Sequence, residues 1–206
     1  MLKLYYHPAT ISFAVQVALE DAGATSKGEF VDFRTNAQRT PEFLAINPKS
    51  RVPALVTDRG VLTETPAIME YIARTHPAAN LAPLDDPFAM AEINAFNIYL
   101  CSTVHVAMAH RYRGYRWADD PEAIKAMAAK SPEVVADCFR VIEAEYFRGP
   151  FVMGQAYTIC DPYLYVLSGW LDRDGIDRTQ FPKVDAHFHM MRERPTVKKV
   201  MADWGM

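Results

Sequence analysis

The first third of the chain switches between the two-residue period of a strand and the 3.6-residue period of a helix. Leu2 to Tyr6 is a short apolar and aromatic run stopped by His7-Pro8, which predicts a buried strand. Beyond the Pro8-Ala9-Thr10 loop, Ile11, Val15, Ala18 and Leu19 recur at helical spacing, and Gly23 supplies a C-terminal stop. Glu29 to Phe33 alternates as a second strand. Thr40-Pro41-Glu42-Phe43 then opens a helix with proline in its first turn, closed by Asn47-Pro48. Val52-Pro53-Ala54-Leu55-Val56 predicts a third strand, which Asp58-Arg59-Gly60 turns into Val61-Leu62 as a hairpin. Behind Glu64-Thr65-Pro66, the apolar residues Ile68, Met69, Tyr71 and Ile72 suit a helix buried on one side.

The resulting order, βαβαββα, is the plan of an α/β thioredoxin-like N-terminal domain. From His76 to Pro87 the periodicity stops and Pro77, Pro83 and Pro87 accumulate, as in a chain crossing between domains. After that point every apolar pattern is helical, over about 89–113, 121–147, 161–173 and 184–192, with a short segment behind Pro195. The expectation is therefore a thioredoxin-like domain at 1–77, a linker at 78–86 and an all-α C-terminal helical domain at 87–206.

Half the residues are apolar, enough to bury a core in each of two small domains. Lysine plus arginine number 22 against 25 acidic residues, a net charge of -3, which offers no electrostatic footprint for nucleic acid. No apolar run approaches the roughly 18 residues of a membrane span, and the first residues do not read as a signal peptide. Cys101, Cys138 and Cys160 are odd in number and widely spaced, which suits reduced thiols in a cytoplasmic protein better than disulfides. Metal-ligand spacing, a glycine-rich phosphate loop and a Ser-His-Asp order are all absent.

Three motifs remain: Asn47-Pro48-Lys49-Ser50-Arg51-Val52-Pro53-Ala54-Leu55, then Glu64-Thr65-Pro66-Ala67-Ile68, then Gly154-Gln155-Ala156-Tyr157-Thr158-Ile159-Cys160-Asp161. Their content, order and spacing resemble the cytosolic glutathione transferase family over essentially the whole chain, and its bacterial beta-class members in particular. The resemblance implies a cis bond before Pro53, which would turn the Val52 backbone groups outward to pair with a cysteinyl backbone; an ordinary trans proline at a strand start is the plainer alternative. Glu64 and Thr65 stand directly before a helix. The Thr65 hydroxyl and the leading amides there can accept an α-carboxylate while Glu64 pairs with an α-amino group, and a γ-glutamyl end presents both. Thr65 also reads as an N-cap with Pro66 at the first helical position, and the two roles coexist. Arg51 can hold the glycine carboxylate or simply be solvated. Thr158-x-x-Asp161 has the form of a capping box and reads as structural.

A transferase must stabilise a thiolate whose free pKa lies near 8.5. The loop after the first strand offers Thr10 and Ser12 at the start of a helix, either of which can donate to sulfur or merely cap the helix. Where the beta-class relatives carry an active-site cysteine this chain has Ile11, and Ser12 matches the serine that follows it. Tyr6 matches a tyrosine of the same relatives, although a strand-end tyrosine is more often core. His105 matches a histidine that faces glutathione in them, with Cys101 one helical turn before it. His110-Arg111-Tyr112-Arg113-Gly114-Tyr115-Arg116-Trp117 can line a site for a flat or acidic electrophile, carry dimer contacts, or be a solvated helix end.

The resemblance implies a detoxification-type transferase that adds the thiolate of glutathione, its co-substrate, to a small hydrophobic electrophile, as a homodimer. A glutathione-dependent reductase or isomerase, and a non-catalytic binding or regulatory protein, are the alternatives on the same fold.

Overall fold

The computed structural model describes all of residues 1–206 and contains two compact units, Met1–Ala91 with Met191–Met206, and Glu92–Met190. The first unit thus extends past the segment read as a linker and takes back the C-terminal residues that the sequence reading assigned to the helical domain.

The first unit holds strands β1 (Leu2–Tyr6), β2 (Ser26–Phe30), β3 (Ala54–Thr57) and β4 (Gly60–Thr63) in the order β2-β1-β3-β4. β1 runs parallel to β2 and antiparallel to β3, and β3 and β4 form the hairpin. Helices α1 (Ser12–Asp21), α2 (Pro41–Ile46) and α3 (Thr65–Thr75) connect them. β2 begins three residues before the predicted start at Glu29 and ends before Val31. Its pairing with β1 runs from Leu2↔Ser26 to Tyr6↔Phe30, and Val31 N–H closes on the Tyr6 carbonyl at 2.8 Å. An edge strand tolerates the polar Ser26, Lys27 and Glu29 that hid it from a hydrophobic pattern. A Cβ at Gly28 would lie 2.9 Å from Tyr6 Cε1, so a larger residue there has to displace that ring. Leu4, Leu19, Leu55, Ile68, Met69 and Ile72 are fully buried at the centre of this unit.

The last helix, α9 (Pro195–Asp203), belongs to the same unit; Lys199 reaches Glu20 of α1 at 3.1 Å, and Arg194, just ahead of it, reaches Asp21 at 3.1 Å. Trp204 beyond it stacks on Tyr6 with centroids 4.1 Å apart and meets Phe13 edge-on.

In the second unit the predicted helix over 89–113 is α4 (Pro87–Tyr99, its first turn in the other unit) and α5 (His105–Arg113), joined without a break by a π-helical turn at Leu100–Val104. α6 (Pro121–Val141) likewise ends in a π-helical turn at Ile142–Tyr146. Pro132 inside α6 has no N–H, so the Ala128 carbonyl loses its helical donor; Arg111 Nη1 supplies one at 3.1 Å. Arg111 is therefore a structural stitch between α5 and α6, reinforced by Ser131 Oγ donating to the Ala107 carbonyl at 2.8 Å.

α7 (Cys160–Ser168) is buried along its whole length, and α8 (Pro182–Glu193) follows. The capping box ahead of α7 forms: Asp161 Oδ2 accepts Thr158 N–H at 2.7 Å while Thr158 Oγ1 accepts Cys160 N–H at 3.3 Å. The second oxygen of Asp161 accepts Val152 N–H at 2.9 Å and the His187 Nε2 proton at 3.0 Å, both side chains being fully buried.

Candidate functional site

The short polar segments at the ends of β1, β3 and α3 gather most of the expected residues within the first unit. Val52–Pro53 is cis and immediately precedes β3. The loop leading to it is shaped by Asn47, 1% exposed, whose Nδ2 donates to the Arg51 carbonyl at 2.7 Å and whose Oδ1 accepts Lys49 N–H at 3.1 Å. In the sequence Asn47 signals only the end of α2; its part in shaping this loop depends on the fold. Arg51 is exposed beside it.

Glu64 takes φ 71° and ψ 119°, a conformation that L side chains rarely adopt. Its carbonyl accepts Ile68 N–H at 3.0 Å, so Glu64 is the N-cap of α3, Thr65 the first helical residue and Pro66 the second, one position on from the predicted arrangement. No side chain caps this helix, which leaves its leading donors and the positive end of its dipole available to an anion. Thr65 is buried at 5% exposure, whereas the Glu64 side chain is 64% exposed.

Lys49 Nζ lies 2.5 Å from Glu64 Oε1 and 2.6 Å from Thr63 Oγ1. Nothing in the local sequence around Lys49 signals this contact. Its partner stands 15 residues on, and only the hairpin of β3 and β4 brings the two together. An ammonium already pairs with this carboxylate, the same chemistry expected from a peptide α-amino group.

The loop after β1 is closed on itself. Thr10 Oγ1 lies 2.7 Å from the His7 carbonyl oxygen and 3.0 Å from Ser12 Oγ, and it accepts Ser12 N–H at 3.3 Å. A hydroxyl has one proton and a carbonyl can only accept. Thr10 therefore donates to His7, and the Ser12 hydroxyl donates to Thr10. Ser12 is 0% exposed and Ile11, the N-cap of α1, is 5% exposed, while Thr10 is half-buried.

Tyr6 lies apart from this group, its ring engaged by Trp204 and edge-on to Phe30. His105 begins α5 in the second unit and meets Trp170 edge-on at 5.3 Å. Cys101 sits in the π-helical turn before it; Cys138 and Cys160 are buried, and burial raises the thiol pKa of both. No group of three or more His, Cys, Asp or Glu is placed to hold a metal ion, and no helix is long and apolar enough to cross a membrane.

A sheet of order β2-β1-β3-β4, a cis proline entering β3 and an uncapped helix behind a left-handed glutamate define a thioredoxin-fold domain joined to a helical unit. Residues 1–74 match the family model for the glutathione S-transferase N-terminal domain. Over its full length the chain is 28% identical to the glutathione S-transferase GstA of Escherichia coli O157:H7, covering 100% of both. It is 44% identical to a glutathione transferase homologue from Sulfitobacter solved with bound glutathione, covering 100% of this chain and 99% of that one with a TM-score of 0.95. A sphingomonad glutathione S-transferase complexed with glutathione is 32% identical over 99% of each chain, with a TM-score of 0.85. The chain belongs to the glutathione transferase family.

Proposed function

We propose that the protein binds glutathione and transfers its thiolate to a small electrophile. The observation that carries this reading is Glu64, a non-glycine residue held at φ 71° directly ahead of an uncapped helix. Strained backbone of this kind persists where a site needs it. The Glu64 carboxylate, which also pairs with the Lys49 ammonium, receives the γ-glutamyl α-amino group, and Thr65 with the leading amides of α3 receives the α-carboxylate. Val52 pairs with the cysteinyl backbone beside Pro53, and Arg51 takes the glycine carboxylate. Tyr6 and His105 stay within the proposal only through the family resemblance.

Thr10 is the thiolate donor in this scheme, with Ser12 behind it. A turn of the Thr10 hydroxyl from the His7 carbonyl to the sulfur gives the anion a proton donor, and the Ser12 hydroxyl already donates to Thr10, so the chain of donors stays intact. Ile11 in place of a cysteine leaves no protein thiol in this loop for a mixed disulfide. Activation and proximity then do most of the catalysis. The homodimer implied by the resemblance belongs to the same proposal.

The test is calorimetric titration with glutathione, followed by conjugation of a generic aryl halide and a pH titration of the bound thiolate absorbance. The thiol pKa of bound glutathione should fall below its free value, rise back in Thr10→Ala, and rise by less in Ser12→Ala. Absence of glutathione binding at millimolar ligand refutes the reading; binding without turnover of any electrophile favours a carrier or regulatory role.

A further inference from the structure

Lys49 holds Glu64 with a donor to spare. A lysine ammonium carries three N–H bonds. One goes to Glu64 Oε1 at 2.5 Å and one to Thr63 Oγ1 at 2.6 Å, which leaves the third unassigned. Thr63 ends β4 and Glu64 is the N-cap of α3, so the two contacts fix Nζ at the N-terminal end of α3, where no side chain caps the leading amides. The root of the side chain is fixed as well. Lys49 N–H donates to Asn47 Oδ1 at 3.1 Å, and the next residue, Ser50, held at φ 56°, donates its hydroxyl to the Gln38 carbonyl at 2.8 Å.

We infer that Lys49 makes the start of α3 selective for a zwitterionic α-amino acid end, its third N–H taking the α-carboxylate while Glu64 takes the α-ammonium. The inference deepens the glutathione reading of this site and rests on it.

The argument is one of charge. Lys49 and Glu64 together are neutral, so a ligand that brings an ammonium alone adds a second cation around one carboxylate, and attraction to Glu64 is offset by repulsion from Lys49. An α-amino acid end brings its own anion. Ligand ammonium, Glu64 carboxylate, Lys49 ammonium and ligand carboxylate then alternate in sign, and the α-carboxylate gains a charge-assisted donor beside Thr65 and the leading amides of α3. Side-chain exposures of 45% and 64% leave the pair open to such a ligand. The rival account makes Lys49 a latch that occupies the place of the α-ammonium and is expelled on binding. Against it, Lys49 engages Oε1 and leaves Oε2 to the ligand, and the Thr63 hydroxyl anchors Nζ independently of the carboxylate.

The test needs no electrophile. Glutathione and its analogue without the α-carboxylate, 4-aminobutyryl-cysteinyl-glycine, are titrated calorimetrically into the unaltered protein, Lys49→Met and Lys49→Arg. Lys49→Met should weaken glutathione about tenfold, the low end for a charge-assisted hydrogen bond. It should leave the analogue unchanged or bound more tightly, so the preference for glutathione over the analogue falls about tenfold or more. Lys49→Arg, which keeps the charge, should retain most of that preference. A Lys49→Met protein that binds glutathione as well as or better than the unaltered protein, as a latch or a bystander requires, overturns the inference. So does an equal loss for both ligands. Either result leaves the glutathione reading standing, because the unaltered protein still binds glutathione; failure of the unaltered protein to bind it at millimolar ligand removes that reading and this inference together.

Discussion

Replacing Glu64 separates two effects that act at one residue. At φ 71° and ψ 119° a Cβ costs about 1–3 kcal/mol, which glycine does not incur. Glycine instead gives up about 0.5–1 kcal/mol through the greater freedom of its unfolded chain. Glu64→Gly should therefore be more stable than Glu64→Ala by about 0.5–2 kcal/mol, the reverse of the usual order. Both variants lose the Lys49 pair equally, and at 45% and 64% side-chain exposure that pair contributes little. Glutathione affinity should follow a different order. Both variants lack the carboxylate, and loss of a charge-assisted hydrogen bond of about 1.5–3 kcal/mol weakens binding roughly 10- to 150-fold. Glu64→Gln, which keeps an acceptor oxygen without the charge, should fall between these and the unaltered protein. Urea denaturation and calorimetric titration of the three variants give both orders. An alanine variant at least as stable as the glycine variant refutes the strain; a glycine variant that binds glutathione normally refutes the role of the carboxylate.

Two further outcomes follow from buried groups of the helical unit. Asp161→Asn turns an amide donor toward Val152 N–H or Thr158 N–H, leaving at least one buried donor unpaired, and urea denaturation should report a loss of about 2–4 kcal/mol; a loss below about 1 kcal/mol would show that the network is dispensable. Burial raises the Cys160 thiol pKa well above its ordinary value, because a thiolate there would be unsolvated. The folded thiol thus stays protonated where the unfolded one ionises, so its contribution is fully present below about pH 8.5 and declines by up to about 1.4 kcal/mol per pH unit above that. Cys160→Ala should flatten this part of the stability profile, and an unchanged slope between the two proteins would count against the shift.

Much of the architecture was legible because it is written in local signals. Proline and glycine punctuation, together with the change from a period of two to one of 3.6, identified the strands, the hairpin and the helices. The three motifs carried the family because each combines a turn with the residues that turn requires. β2 was misplaced by three residues because its position depends on pairing with β1, and its own residues are mostly polar. The two π-helical turns escaped notice because one extra residue in a turn barely alters a helical pattern.

The sequence by itself determined the order of strands and helices, where the capping box falls and which family the chain resembles, and the cis bond before Pro53 followed only from that resemblance. Tertiary structure alone decided which of those residues meet. Lys49 reaches Glu64 across a hairpin, Trp204 returns to cover Tyr6 from the far end of the chain, and His187 completes the set of donors around Asp161. It also buried Ser12 behind Thr10 and locked Arg173 between two rings and a carboxylate. The reason is physical: backbone preference and hydrophobic period act over a few neighbouring residues, whereas a side-chain partner is chosen by the path of the whole chain.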